Sequence, residues 1–132
     1  MVTDMRSFLA GEYAATARQV SAARHWVHET VNGLVDDETA YDLSLCAVEL
    51  ADNARKHGRS NGVISVALHL TEDTVRLEVT NERAGTTIPH VTDNLLTEEG
   101  HGLRIVSSVA QKWGHHSTPD LKQVVWCQFP RN

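Results

Sequence analysis

The chain has 132 residues, 41% of them hydrophobic, and 12 Lys and Arg stand against 17 Asp and Glu. That length suits one domain with its own core, spanning residues 1–132, and a formal net charge of −5 argues against a general nucleic-acid binder. No apolar run reaches membrane-spanning length and no signal peptide opens the chain, so a cytoplasmic protein with no membrane partner is expected.

In chain order, Ser7 to Ala10 offers an edge strand. From Ala14 to Leu34 a helical pattern follows, with Val20, Ala23, Val27, Val31 and Leu34 on its core face and Arg18 and Arg24 outside. Asn32-Gly33 and the acidic run Asp36 to Glu38 form the turn into a second helix. After that helix a turn at Ser60-Asn61-Gly62 leads into Gly62 to Leu70, where Ile64, Val66, Leu68 and Leu70 alternate onto one face. Thr71 to Asp73 makes a short turn before Val75, Leu77 and Val79 alternate again, which predicts an antiparallel hairpin. Asn81 to Gly102 breaks every pattern and has the length of a functional lid. Gly102 opens a third helix whose core side is Leu103, Val106, Val109, Ala110 and Trp113, with Gly114 as its stop. His115 to Thr118, a Pro119-Asp120 turn and Lys122 to Phe129 predict a second hairpin. The implied fold is α+β, a two-layer sandwich of a mostly antiparallel sheet with three helices on one face.

The second helix, Leu43 to Gly58, organises the rest. Leu43, Cys46, Ala47, Leu50, Ala51 and Ala54 recur at helical spacing and mark a buried stripe. Thr39 and Asp42 resemble a capping box before it, and Gly58 is expected to stop it in a left-handed conformation. Beside the stripe, Glu49, Asn53 and His57 stand four and four apart, a row ~12 Å long on a helix. Magnesium takes oxygen ligands of the Glu and Asn kind and shares them with nucleotide phosphates, although Glu, Asn and His are also ordinary on a wet helix flank. Gly100-His101-Gly102 before a helix is a second cue. Glycines let backbone approach a phosphate, and the helix amino end offers free N–H groups. Cys46 and Cys127 both lie in apolar patterns and read as small buried hydrophobes. His115-His116 is a weak metal candidate, because adjacent strand residues face opposite ways.

The order Glu49-x-x-x-Asn53-x-x-x-His57, then a polar-glycine turn after a strand, then Gly100-His101-Gly102-Leu103, resembles the GHKL ATPase superfamily with its Bergerat-type ATP-binding fold. Closer in, ELADNARKHG is similar to the N box of the short bacterial anti-sigma-factor serine/threonine kinases and their actinobacterial relatives. EEGHGLRIVSSVAQKWG is similar to their second glycine box and following helix, and VVWCQFP to their closing strand. The resemblance implies ATP and Mg2+ as cofactors and an ATP lid at about 82–102. It makes Glu49 the general base toward a protein hydroxyl and Asn53 the magnesium ligand. It also places Lys56, His57, Asn81, Gly85, Gly100, His101, Gly102 and Leu103 at the nucleotide. The implied function is sequestration of a sigma factor and phosphorylation of an antagonist protein, commonly as a homodimer, without direct nucleic-acid contact. A detached histidine-kinase catalytic domain is the lesser reading, since no histidine stands in a recognisable acceptor context.

One stretch departs from the family pattern. The first glycine box normally opens with aspartate and continues with small residues, whereas here it reads Asn81-Glu82-Arg83-Ala84-Gly85. In the family that carboxylate accepts the adenine amino proton and orders a water. Asparagine keeps one acceptor oxygen but loses the charge, and a hydrogen bond to a charged group is worth ~1.5–3 kcal/mol. Three outcomes stand open: weaker ATP binding, compensation by Glu82 or a water, or a protein-binding module that has given up ATP. Asn81→Asp is then expected to tighten nucleotide binding sharply if the pocket lacks nothing but the charged acceptor.

Overall fold

Two period-two stretches meet a helical one, and the sheet assembles beneath it. The computed structural model describes residues 7–58, 62–82 and 101–131. Its elements are β1 (Ser7–Ala14), α1 (Ala17–Val31), α2 (Asp37–His57), β2 (Val63–Leu70), β3 (Thr74–Glu82), α3 (His101–Val109), β4 (Lys112–Ser117) and β5 (Lys122–Pro130). The strands form one sheet in the order β1-β2-β3-β5-β4, and every neighbouring pair is antiparallel. Among the described residues no helix is long and apolar enough to cross a membrane. Arg83, Gly85, Gly100, the turn residues Ser60 and Asn61 and nearly all of the expected lid lie outside the described residues.

Strict alternation puts Ile64, Val66, Leu68 and Leu70 of β2 and Val75, Leu77 and Val79 of β3 on one buried face. Register aligns them across the sheet: Leu68 opposes Leu77, which opposes Cys127, which opposes Trp113. Against this face lies α2, flanked by α1 and α3 and reaching β2, β3 and β5. The six apolar residues expected to form its buried stripe, Leu43, Cys46, Ala47, Leu50, Ala51 and Ala54, are at most 5% exposed. Burial of such a stripe on a sheet face supplies the main driving force for a two-layer sandwich.

Four local expectations are corrected. Helix α2 starts a turn earlier than the Thr39–Asp42 box implies: Asp36 is the cap, its Oδ1 accepting from the Thr39 amide at 2.8 Å. The acidic run therefore caps and opens the helix, where carboxylates meet the positive end of its dipole. Helix α1 ends at Val31 and Leu34 is exposed, because the chain turns at Gly33, whose φ is +85°. The first strand runs on to Ala14 and pairs with all of β2. Helix α3 stops at Val109, and Trp113 and Gly114 belong to β4, since the Gln111 amide already donates to the Gln128 carbonyl at 3.0 Å.

Candidate functional site

The flank of α2 carries Glu49, Asn53 and His57, all half-buried, between the core stripe and water. Between them Asp52 binds its own helix: its Oδ1 accepts from Arg55 Nε at 2.9 Å and Nη2 at 2.7 Å, and its Oδ2 lies 3.3 Å from Lys56 Nζ. Partial burial alone would push the Asp52 carboxyl up. The bonds and charges of Arg55 and Lys56 outweigh it and hold the group below the usual carboxylate range. Lys56, assigned to the nucleotide by resemblance, is thus paired with Asp52.

Asn81 ends the buried phase of β3 and is 8% exposed. Its Nδ2 donates to the Glu82 carbonyl at 3.1 Å. A Cβ on Gly58 would lie 2.8 Å from that nitrogen and 2.6 Å from the Ala54 carbonyl oxygen. The end of α2 and the end of β3 therefore meet at a carboxamide. Gly58 itself has φ −88° and ψ −176°, ordinary extended backbone. Space, and not the expected left-handed turn, is what demands a glycine there.

Across the sheet Asn81 opposes Gln123, which opposes Ser117. Gln123 is 4% exposed, donates from Nε2 to the His116 carbonyl at 3.0 Å and accepts from Ser117 Oγ at 3.2 Å. The core face thus changes from aliphatic to amide-lined at the end where α2 stops. From the sequence Gly58 was expected only as a helix stop, and Gln123 was not marked at all. The signal for Gln123 was its phase with Val125, Cys127 and Phe129, which set it on the core face.

His101 and Gly102 of the second glycine motif lie in the first turn of α3. The Leu103 side chain is 1% exposed and belongs to the core. Any contact it makes with a ligand falls to its backbone N–H. His115 and His116 are exposed strand neighbours in β4.

Among the described residues no cluster of three His, Cys, Asp or Glu side chains is built to hold a metal. Glu49 and Asn53, one turn apart and half-buried, offer two oxygen donors. That donor set fits magnesium, which keeps few protein ligands and completes its shell with water and phosphate oxygens. ATP fits as well: half-buried polar groups on one helix, an amide at its end and a glycine-bearing helix start are the chemistry that would hold magnesium-bound phosphates and a base.

Comparison with curated proteins finds no match. Comparison with protein families finds one described as the histidine kinase-like ATPase domain, matching residues 13–128. The match begins in β1, ends in β5 and includes α2 with its polar flank, the Asn81 position and α3. A five-stranded antiparallel sheet under three described helices, with Glu49, Asn53, Asn81 and the helix start at His101 all inside the matched span, places this chain in the histidine kinase-like ATPase domain family, within the GHKL superfamily.

Proposed function

We propose that this protein is a magnesium- and ATP-dependent regulator of the anti-sigma-factor type, which holds a sigma factor and phosphorylates a serine or threonine of an antagonist protein. The observation that carries the reading is the half-buried pair Glu49 and Asn53 on the flank of α2, the helix whose end abuts the Asn81 carboxamide. Asn53 would hold magnesium and Glu49 would take the proton of the antagonist hydroxyl. The freed oxygen forms a bond to the γ-phosphorus as the bond to the bridging oxygen breaks, leaving phosphoprotein and ADP. Such chemistry asks the protein chiefly for positioning and charge stabilisation. A cytoplasmic homodimer accompanies this reading by resemblance.

The test is transfer of labelled γ-phosphate from Mg-ATP to a purified antagonist. Wild type is expected to transfer. Glu49→Gln, which keeps size and loses the base, is expected to lose about 10²–10⁴-fold in rate while still binding Mg-ATP. Asn81 favours a second reading, a partner-binding module with no turnover. It replaces the first if wild type transfers no phosphate and holds its partner equally well with and without nucleotide.

A further inference from the structure

The tip of the β4–β5 hairpin breaks a rule that every other described non-glycine residue obeys. Leu121 has φ +64°, the one positive value outside glycine among the described residues, and a bulky side chain seldom adopts it. Three hydrogen bonds impose it. The Leu121 amide donates to the Thr118 carbonyl at 3.1 Å, the Thr118 amide donates to the Lys122 carbonyl at 2.9 Å, and the Lys122 amide donates to Thr118 Oγ1 at 3.1 Å. This is a tight turn followed by a left-handed residue, a position that glycine or asparagine ordinarily fills. Leucine there costs backbone energy that burial does not offset: at 73% exposure it is the most exposed large apolar side chain among the described residues. An exposed leucine is ordinary on a relaxed backbone. On a left-handed one, nothing within the described chain favours it.

The tip stands at the end of the sheet that carries the candidate site. Beside it Lys122 opposes Glu82 and Gln123 opposes Asn81, and Asn81 abuts Gly58 at the end of α2. Only Ala110 and Gln111 separate α3 from β4, whose Lys112 opposes Gln128 toward the far end of β5. A link that short turns the helix back along the strand, so the start of α3 at His101 also comes toward the tip. Val63, 46% exposed, begins β2 at this end as well, one residue before the partner of Asn81.

We propose that Leu121 is a preset docking residue for the protein that receives the phosphate, and that it inserts into an apolar pocket on that partner's surface. This rests on the protein-substrate reading above and adds the surface through which the substrate is held. The turn's bonds fix the backbone before binding, so little ordering entropy is lost when the side chain is captured. Asp120 and Lys122, whose charged ends lie 3.7 Å apart, flank the leucine and would meet a polar rim of the pocket. A single aliphatic side chain has no face to stack on a base and too little apolar area to hold a membrane, which leaves a folded protein as the occupant.

The experiment reads stability and partner binding in the same variants. Leu121→Asn relieves the backbone and removes the apolar tip, whereas Leu121→Met keeps an apolar tip of similar size. Each is unfolded in denaturant, titrated with Mg-ATP, and titrated with the purified antagonist used for phosphate transfer, and kcat and KM are then measured for that antagonist. Expected for Leu121→Asn are a folding equilibrium constant raised about twofold to fivefold, antagonist affinity weakened and KM raised about tenfold, and unchanged kcat and Mg-ATP affinity. Leu121→Met is expected to bind the antagonist within about threefold of wild type. Loss of stability in Leu121→Asn would show that the leucine packs within its own chain, and antagonist binding equal to wild type would show that the tip makes no contact; either result overturns the proposal. Weakened Mg-ATP binding would also overturn it, by assigning Leu121 to the nucleotide site. Weaker antagonist binding in Leu121→Asn, with no phosphate transfer by wild type, upholds the docking residue and overturns the kinase reading. A wild type that binds no antagonist overturns both.

Discussion

Asp52 shows how a side chain beside the candidate site is held in place by its own helix. Arg55 and Lys56, three and four residues on, both reach its carboxylate. Because all three side chains keep about a third of their surface in water, Asp52→Asn is expected to cost only ~0.2–1 kcal/mol at neutral pH. The carboxyl is held below its usual range when folded, so its stabilisation is present above the unfolded value near ~3.9. It is lost as pH falls through the lower folded value. Thermal melts of wild type and variant should differ at pH 7, converge in strong acid, and converge again in ~1 M salt, where exposed charges are screened. A gap that persisted in acid would show that Asp52 acts through packing instead. The helical spacing of Asp52, Arg55 and Lys56 was open to reading from the sequence. The seat around Asn81 was not, since it depends on how closely the end of β3 approaches Gly58, a tertiary distance that no local pattern encodes.

The boundary between α3 and β4 shows where element-level reading broke down and why. Val106, Val109, Ala110 and Trp113 repeat at three and four residues, so a helix through Trp113 satisfies the period. A strand entering the sheet also points Trp113 at the core, and burial is the same either way. The ladder decides: Lys112 opposes Gln128, Trp113 opposes Cys127 and Gly114 opposes Trp126. In that register Gly114 has a different task from ending a helix. A Cβ there would stand 2.8 Å from Cζ2 and 3.1 Å from Nε1 of the Trp126 indole, the ring over which Arg76 lies at 4.1 Å. Gly114→Ala is therefore expected to displace Trp126 from beneath Arg76 and destabilise the fold by ~1–3 kcal/mol, the range for overpacking. Denaturant unfolding measures the cost, and a changed near-ultraviolet tryptophan signal in the native state reports the displaced ring. Gly114 acting as a simple helix stop would predict neither. By contrast β2, β3 and the buried stripe of α2 were legible, because alternation and helical period there had no rival phase.

At the scale of the whole molecule, the two cysteines report on whether the layers stay together. Cys46 comes from α2 and Cys127 from β5, so they belong to opposite layers, and both are 0% exposed. A hydrogen bond to Cys46, reinforced by burial, pushes the Cys127 thiol well above the usual range. Thiolate is the reactive form, so attack at Cys127 must wait for the helices to leave the sheet. Labelling with a thiol reagent is expected to run about a thousandfold or more slower than for a free cysteine, as a native stability above ~5 kcal/mol requires. Fast labelling of the folded protein would show instead that α2 and β5 separate locally. The same measurement also tests the nucleotide reading without a partner protein. A ligand that binds only the native state lowers the open population by the factor 1 + [L]/Kd, so Mg-ATP at ten times its Kd should slow labelling about elevenfold. The helix that supplies Cys46 also carries Glu49 and Asn53 and ends at the seat of Asn81. A nucleotide held by that flank must therefore stabilise the packing that conceals both thiols. Labelling that Mg-ATP leaves unchanged at millimolar concentration would count against ATP as the ligand.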